Sequence, residues 1–410
     1  MMVGGSRPCL TGRGVRVLAA LLGVKLVYAV AVTLLIIFGE SYDAPTAAAI
    51  AQGWFPADWP ANARGRWERH FATWDAEHYL YLSARGYVQE APSRAFYPLW
   101  PLLIRAAGEL TGVSPVVAGL WLANLCSLGA WWLFHRLTAR RWGEAVADKA
   151  TALLVIFPGS LFYQFIYSEA LFFLLVMILW WGLEHRRWSM AWAAAFLAPC
   201  TRAVGVFGLI PLAWQWLVTR PWRWLSRWGW VREEQARLGI PAQREHRWLW
   251  GLLAAPVLGW TAYLGWMWAW AGHPLAGIEA QRYWGVHAIR NLWDLPRFLE
   301  GLVAVTEWHA FQGSLLDRLG FVLLWYTLPV QWRMGKDLLG WTLMLGVVPA
   351  LSGTFVSYIR FESCAFPMFV ALGGFFGRLK ARWPFWLFAA LSLAVHAQLL
   401  HRFLNYRWAG

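Results

Sequence analysis

Trp74-Asp75-Ala76-Glu77-His78-Tyr79 puts two carboxylates and an imidazole into six consecutive positions. Ala76 to Arg85 has the make-up of a short helix closed by Gly86 as a C-terminal cap. Asp75, His78, Tyr79 and Leu82 then follow i, i+3, i+4, i+7 and share one face. A carboxylate with an imidazole beside it is the equipment of a general base, which must sit within hydrogen-bond reach of the proton it removes. The same spacing also suits an aspartate that only caps a helix N-terminus. Asp75-x-Glu77 leaves a divalent-metal pair open, although acids at a helix start commonly answer the helix dipole instead.

Four further groups of polar residues stand out. Phe96 to Arg105 carries Tyr97, Pro98, Trp100 and Pro101 and reads either as a binding segment or as a proline-broken interfacial stretch. Tyr167-Ser168-Glu169 precedes an apolar run, where serine and an acid also serve as a cap and a first-turn charge. Arg202 lies between two apolar runs, and an arginine facing lipid is costly, so it is expected to face a polar cavity or headgroups. Gln281-Arg282-Tyr283-Trp284 and Arg360 complete the set. Guanidinium groups bind phosphate bidentately, so arginines at a membrane surface suit a lipid-linked phosphate. A carboxylate beside them suggests group transfer from such a phosphate.

These residues are positioned by an apolar chain. Of 410 residues, 59% are hydrophobic and 14% charged, with a mean hydropathy of +0.42. Roughly 25% charge is usual for soluble domains, so a polytopic membrane protein is the class that remains. Disorder is excluded by the aromatic content, and a disulfide scaffold by four scattered cysteines. The net charge of +14 does not indicate nucleic acid, because the basic residues gather in short segments between apolar runs.

Those runs predict an all-α, polytopic membrane protein of about 11 transmembrane helices, between about 9 and 12, forming one domain over residues 1–410. The first helix, Val17 to Phe38, follows Arg7, Arg13 and Arg16, so the N-terminus is expected on the cytoplasmic side. Lys25 in that run is expected to snorkel to the inner surface. Residues 40–96 form an outer catalytic loop, 220–247 a basic cytoplasmic loop and 272–313 a second outer loop. Phe96 to Leu110 is too short to span and reads as re-entrant or interfacial. All five polar groups then fall on the outer face.

Residues 71–105, FATWDAEHYLYLSARGYVQEAPSRAFYPLWPLLIR, resemble the hallmark of the PIG-V-type mannosyltransferases, which include the second mannosyltransferase of GPI-anchor assembly and bacterial relatives. Tyr167-Ser168-Glu169-Ala170, Thr201-Arg202, Gln281 with Trp284-Gly285, and Arg360 with Phe366-Pro367 add weaker matches in order along the chain. The resemblance implies a GT-C-type membrane glycosyltransferase. It implies an inverting transfer of a sugar, most often mannose, from a polyprenyl- or dolichyl-phosphate donor to a glycolipid or glycan hydroxyl at the outer or luminal face. Asp75 carries over as the catalytic residue, with His78 expected to orient it or bind the acceptor. Trp74, Glu77, Tyr97, Tyr167, Glu169, Arg202, Gln281, Arg282, Trp284 and Arg360 are expected to bind donor or acceptor. Thr73 and Val286 depart from the family pattern, which often has a basic residue at each of these places. No cofactor is required, a metal is not expected, and the bilayer rather than nucleic acid is the partner. The bacterial cytoplasmic membrane is the favoured location, or the endoplasmic reticulum in a eukaryote. A transporter or flippase of a lipid-linked glycan, or a non-catalytic membrane subunit, is the alternative.

Overall fold

The computed structural model describes residues 12–39, 41–59, 64–219, 227–238, 246–285 and 288–410. Val286 and parts of the 40–96 and 220–247 loops lie outside the described residues. Among the described residues the protein is helical throughout. No β-strand occurs, and a single isolated bridge joins Glu307 to Ser314.

The N-terminal half contains α1 (Gly12–Phe38), α2 (Ala44–Trp54), α3 (Asp75–Arg85), α4 (Leu99–Thr111), α5 (Pro115–Trp142), α6 (Glu144–Ile156), α7 (Glu169–Glu184), α8 (Trp188–Thr201) and α9 (Leu209–Thr219). Then come α10 (Gly229–Leu238), α11 (His246–Ala271), α12 (Ala276–Glu279), α13 (Leu295–Val303), α14 (Leu315–Met334), α15 (Asp337–Thr342), α16 (Val348–Gly353), α17 (Tyr358–Glu362), α18 (Phe366–Arg378) and α19 (Trp383–Leu404). Local chemistry sets several of these ends. Ser114 caps α5 through Val117 N–H, Pro115 follows at the first helical position, and Gly143 at φ 89° releases the chain into α6.

The helices pack as an interlocked bundle. α8 lies between α7 and α11, α5 packs on α6 and α7, and α6 packs on α18. Inside it, Trp131, Phe134, Phe173, Trp180 and Phe366 are fully or almost fully buried. Small residues allow the close approaches. A Cβ on Gly373 would meet the backbone of Val146 at 2.6 Å, and one on Gly259 would meet that of Phe196 at 2.0 Å.

Among the described residues, three helices are long and apolar enough to cross a bilayer: α1, α5 and α19. α6 and the 3₁₀ segment Pro158–Gln164 make a fourth if counted together, bent by 79° at Pro158. The expected count of about 11 therefore rests on shorter or broken runs. α7 has 16 residues, and the run after Arg202 divides into Ala203–Gly208 and α9. α11 has 26 residues but carries Trp248, Trp250, Trp260, Trp266, Trp268 and Trp270, a residue that prefers the membrane interface. α4 has 13 residues, short of a crossing, as its prolines implied.

Lys25 corrects the sequence reading. Its ammonium does not reach out to a surface. It turns inward and donates to Asn124 Oδ1 (3.0 Å), Ser127 Oγ (2.6 Å) and Gln164 Oε1 (2.7 Å), over the face of Trp131. Three neutral acceptors and an aromatic face satisfy it where lipid would not.

Candidate active site

Asp75 is the first helical residue of α3, and Trp74 holds the cap position without a side-chain cap bond. The capping alternative for Asp75 is thus not what its carboxylate does. Oδ2 accepts from Arg360 Nη1 at 2.6 Å, a residue 285 positions away. Arg360 Nε pairs with Glu169 Oε1 at 2.5 Å, and Arg202 Nη1 reaches the same oxygen at 2.6 Å. The four side chains form a chain of alternating charge, Asp75–Arg360–Glu169–Arg202. Glu169 is wholly buried and both arginines nearly so. Two cations with two anions leave the group neutral, the condition under which buried charge is tolerated.

Ser168 holds the cap position of α7, yet its hydroxyl makes no cap bond. It accepts from Arg202 Nη1 (3.1 Å) and bonds the Tyr79 hydroxyl (2.8 Å). Tyr167 donates to the Thr73 carbonyl (3.2 Å) and lies under the Arg360 guanidinium, 5.1 Å from it. α3 and the start of α7 are thereby tied together around the charge group.

The backbone at both ends of this group is strained. Trp74 has φ 51°, and Thr354, Phe355 and Ser357, just before α17, have φ of 47°, 67° and 56°. Such values in non-glycine residues cost about 1–3 kcal/mol each and persist where surroundings impose them. Asp317 Oδ1 accepts from Ile359 N–H at 2.7 Å and pins the start of α17. Behind Arg360 the chain passes Gly159, where an added Cβ would lie 1.9 Å from the Ile359 carbonyl oxygen. Gly159→Ala is therefore expected to displace Arg360. Membrane yield should fall at least about tenfold, because a backbone atom cannot rotate away as a flexible side chain does. A variant with wild-type yield would show that this crossing tolerates a methyl group.

The group lies at one side of a cavity of about 610 Å³ with aromatic walls, among them Trp54, Trp74, Tyr97, Trp260 and Trp284. Asp75, Ser168, Arg202, Gln281 and Arg360 are among its polar lining residues. Apolar walls with a few convergent charged groups are the usual make-up of a ligand site. Gln281 donates to the Ala95 carbonyl (3.2 Å), and Tyr97 stacks on Tyr263 at 4.4 Å.

Tyr167 and Glu169, expected to bind donor or acceptor, are buried behind the cavity and do not line it, and three further expected site residues take other positions. His78 makes no hydrogen bond or ion pair with Asp75. It stacks on Phe96 at 4.7 Å, packs beside Trp54, Phe55 and Trp284, and bonds Ser93 Oγ through Nδ1 (2.8 Å). Burial pushes its pKa down to about 3, so it is neutral near pH 7 and supports the aromatic wall. Glu77 turns away from the cavity to Arg64 (3.0 and 2.7 Å) and Trp59 Nε1 (2.6 Å), bracing the loop. Asp75 and Glu77 are held by different arginines, so they do not converge as a metal pair. Arg282 is exposed and lies over Tyr283, off the cavity wall. The sequence reading missed Trp54 and Trp408, which line the cavity but belong to no charged motif.

Residues 26–221 match the family described as Mannosyltransferase (PIG-V). Over this region the chain is mannosyltransferase-like, as the motif at residues 71–105 implied. The match holds Asp75, Tyr97, Glu169 and Arg202, while Gln281, Trp284 and Arg360 lie beyond it. GPI alpha-1,6-mannosyltransferase 2 of Mus musculus is 31% identical over 152 residues, covering 34% of this chain and 29% of the mouse protein. The chain thus matches less than a third of that relative's length. Among solved structures, ArnT from Cupriavidus metallidurans, bound to undecaprenyl phosphate, aligns with a TM-score of 0.45 at 15% identity, covering 81% of this chain and 71% of ArnT. The apo oligosaccharyltransferase of Archaeoglobus fulgidus aligns with a TM-score of 0.46 at 13% identity, covering 95% of this chain and 56% of that one.

Proposed function

We propose that this protein is a GT-C-type glycosyltransferase. In this reading it moves a sugar, most often mannose, from a polyprenyl- or dolichyl-phosphate donor to a hydroxyl of a lipid-linked or glycan acceptor, with inversion. The bundle is one polytopic membrane domain, the N-terminus is cytoplasmic, and the cavity faces the outer or luminal side. The observation that carries the reading is Arg360, which bridges Asp75 and Glu169 at the edge of an aromatic cavity.

Asp75 takes the proton of the acceptor hydroxyl as that oxygen attacks the anomeric carbon. The bond between that carbon and the phosphate oxygen breaks, and its electron pair leaves with the lipid phosphate. Arg202 and Arg360 hold the departing phosphate, an electrostatic role that is strongest where water is excluded. A phosphate that engages Arg360 also draws the guanidinium from Asp75, so the carboxylate becomes free for the acceptor when the donor is bound. Trp284, Trp54 and Tyr97 line the sugar's path. No sugar nucleotide or metal enters the scheme.

Arg360 uses Nη1 toward Asp75 and Nε toward Glu169, and one ammonium cannot span both. Arg360→Lys is expected to raise the donor KM by about tenfold or more while changing the acceptor KM less. Steady-state kinetics with each substrate varied in turn would measure this, and an unchanged donor KM would contradict the phosphate role.

A further inference from the structure

The segment after α19 returns to the cavity from far beyond the region that matches the family. Tyr406, at φ 60°, stacks face to face on Trp74, with centroids 5.0 Å apart and planes at 21°. Trp408 meets the same indole edge-on, at 5.3 Å and 88°, and lines the cavity. Phe311 of the 272–313 loop also packs edge-on against Trp408, with centroids 4.8 Å apart. The segment is held at several points. Arg402 Nε donates to the Trp408 carbonyl (2.7 Å), Asp43 N–H to the Asn405 carbonyl (3.0 Å), and Ser41 N–H to Asn405 Oδ1 (2.7 Å). Gly410 packs against Phe162 and the Arg360 side chain.

We infer that Trp74 and Trp408 form a two-walled aromatic subsite that binds a hexopyranose ring of the acceptor and presents its hydroxyl to Asp75. Two large aromatic faces at right angles suit a sugar ring, which offers a C–H face to one and an edge to the other. The electron-rich face of an indole attracts such weakly positive hydrogens. Trp74 directly precedes Asp75, so a ring seated in this corner has its hydroxyls beside the carboxylate. The arginines, already assigned to phosphate, are not needed to hold it. Tyr406 stacks on Trp74 and fixes its plane, which makes it a positioning residue. This inference rests on the transferase reading above and adds the acceptor side to it.

Two measurements test it separately from that reading. In transfer kinetics, Trp408→Ala should raise the acceptor KM about 3- to 10-fold with the donor KM unchanged, and Trp408→Phe should restore most of the loss. In saturation-transfer NMR on purified protein, methyl hexopyranosides should show contact signal with wild type and with Asp75→Asn. Trp408→Ala should lose that signal and Trp408→Phe should keep most of it. Undiminished glycoside signal in Trp408→Ala, or a donor KM that rises with the acceptor KM, overturns the subsite. Wild-type protein that binds glycosides through Trp408 but transfers no sugar would leave the subsite standing and defeat the transferase reading instead.

Discussion

Asp75→Asn is expected to reach the membrane folded and to lower transfer by roughly 10²–10⁴-fold, the share a general base contributes. Asparagine keeps the side-chain size and an oxygen that can accept from Arg360 Nη1, so the 2.6 Å contact has a neutral replacement. What it loses is the ability to take a proton. Both KM values should change less than kcat, because the interaction removed acts mainly in the transition state. Yield and detergent melting should stay close to wild type, since Asp75 is partly exposed and sits at the end of the charge chain. Near-normal transfer by this variant would remove Asp75 from the mechanism.

Glu169→Gln should act through the other half of the same group. Glu169 is wholly buried, and one of its oxygens faces both Arg202 at 2.6 Å and Arg360 at 2.5 Å. Removing its charge leaves two buried guanidinium groups against one carboxylate. Losing one partner of a buried pair costs about 3–5 kcal/mol, because the remaining charge is uncompensated. The variant is expected to unfold earlier in thermal or SDS titration and to lose transfer at least about tenfold, as Arg202 and Arg360 separate. Donor phosphate should partly restore the melting temperature, since an anion between the arginines replaces the missing charge. Wild-type stability without donor would show that the two arginines do not depend on Glu169.

The contrast between Asp75 and His78 shows what the sequence could convey. Asp75, Glu169, Arg202 and Arg360 were all legible as residues, because an apolar chain leaves few charges and each stood out at the end of a run. Their pairing was not, since contacts spanning up to 285 positions leave no local spacing. His78 was assigned to Asp75 because helical spacing puts them on one stripe. That rule separates a buried face from an exposed one, but every α3 position from Ala76 to Ser83 is buried. Periodicity then says nothing about which neighbour each side chain meets, and His78 meets Ser93 and Phe96. Glu77, buried as well, meets Arg64 for the same reason.

The helical class was legible from the apolar runs, whereas their division was not. Pro158 bends one run by 79°, and the run after Arg202 divides at Gly208 into two short pieces. Lys25 looked like a snorkelling residue because its distance from Arg16 is readable in the sequence, while Asn124, Ser127 and Gln164 converge on it only after folding. Trp408 was hidden in a different way. In a chain with 34 tryptophans, one more near the last helix carries no signal until it is seen beside Trp74.

The central claim is sugar transfer from a lipid phosphate by way of Asp75, and one assay addresses it directly. Membranes containing the wild-type protein or Asp75→Asn would be given polyprenyl-phosphate carrying radiolabelled mannose, then extracted and followed for label in acceptor lipids and glycans. The account predicts label transfer by the wild type, release of unlabelled polyprenyl phosphate, and little transfer by Asp75→Asn. Equal transfer by the two proteins, or transfer that requires a nucleotide sugar in place of the lipid donor, would contradict it.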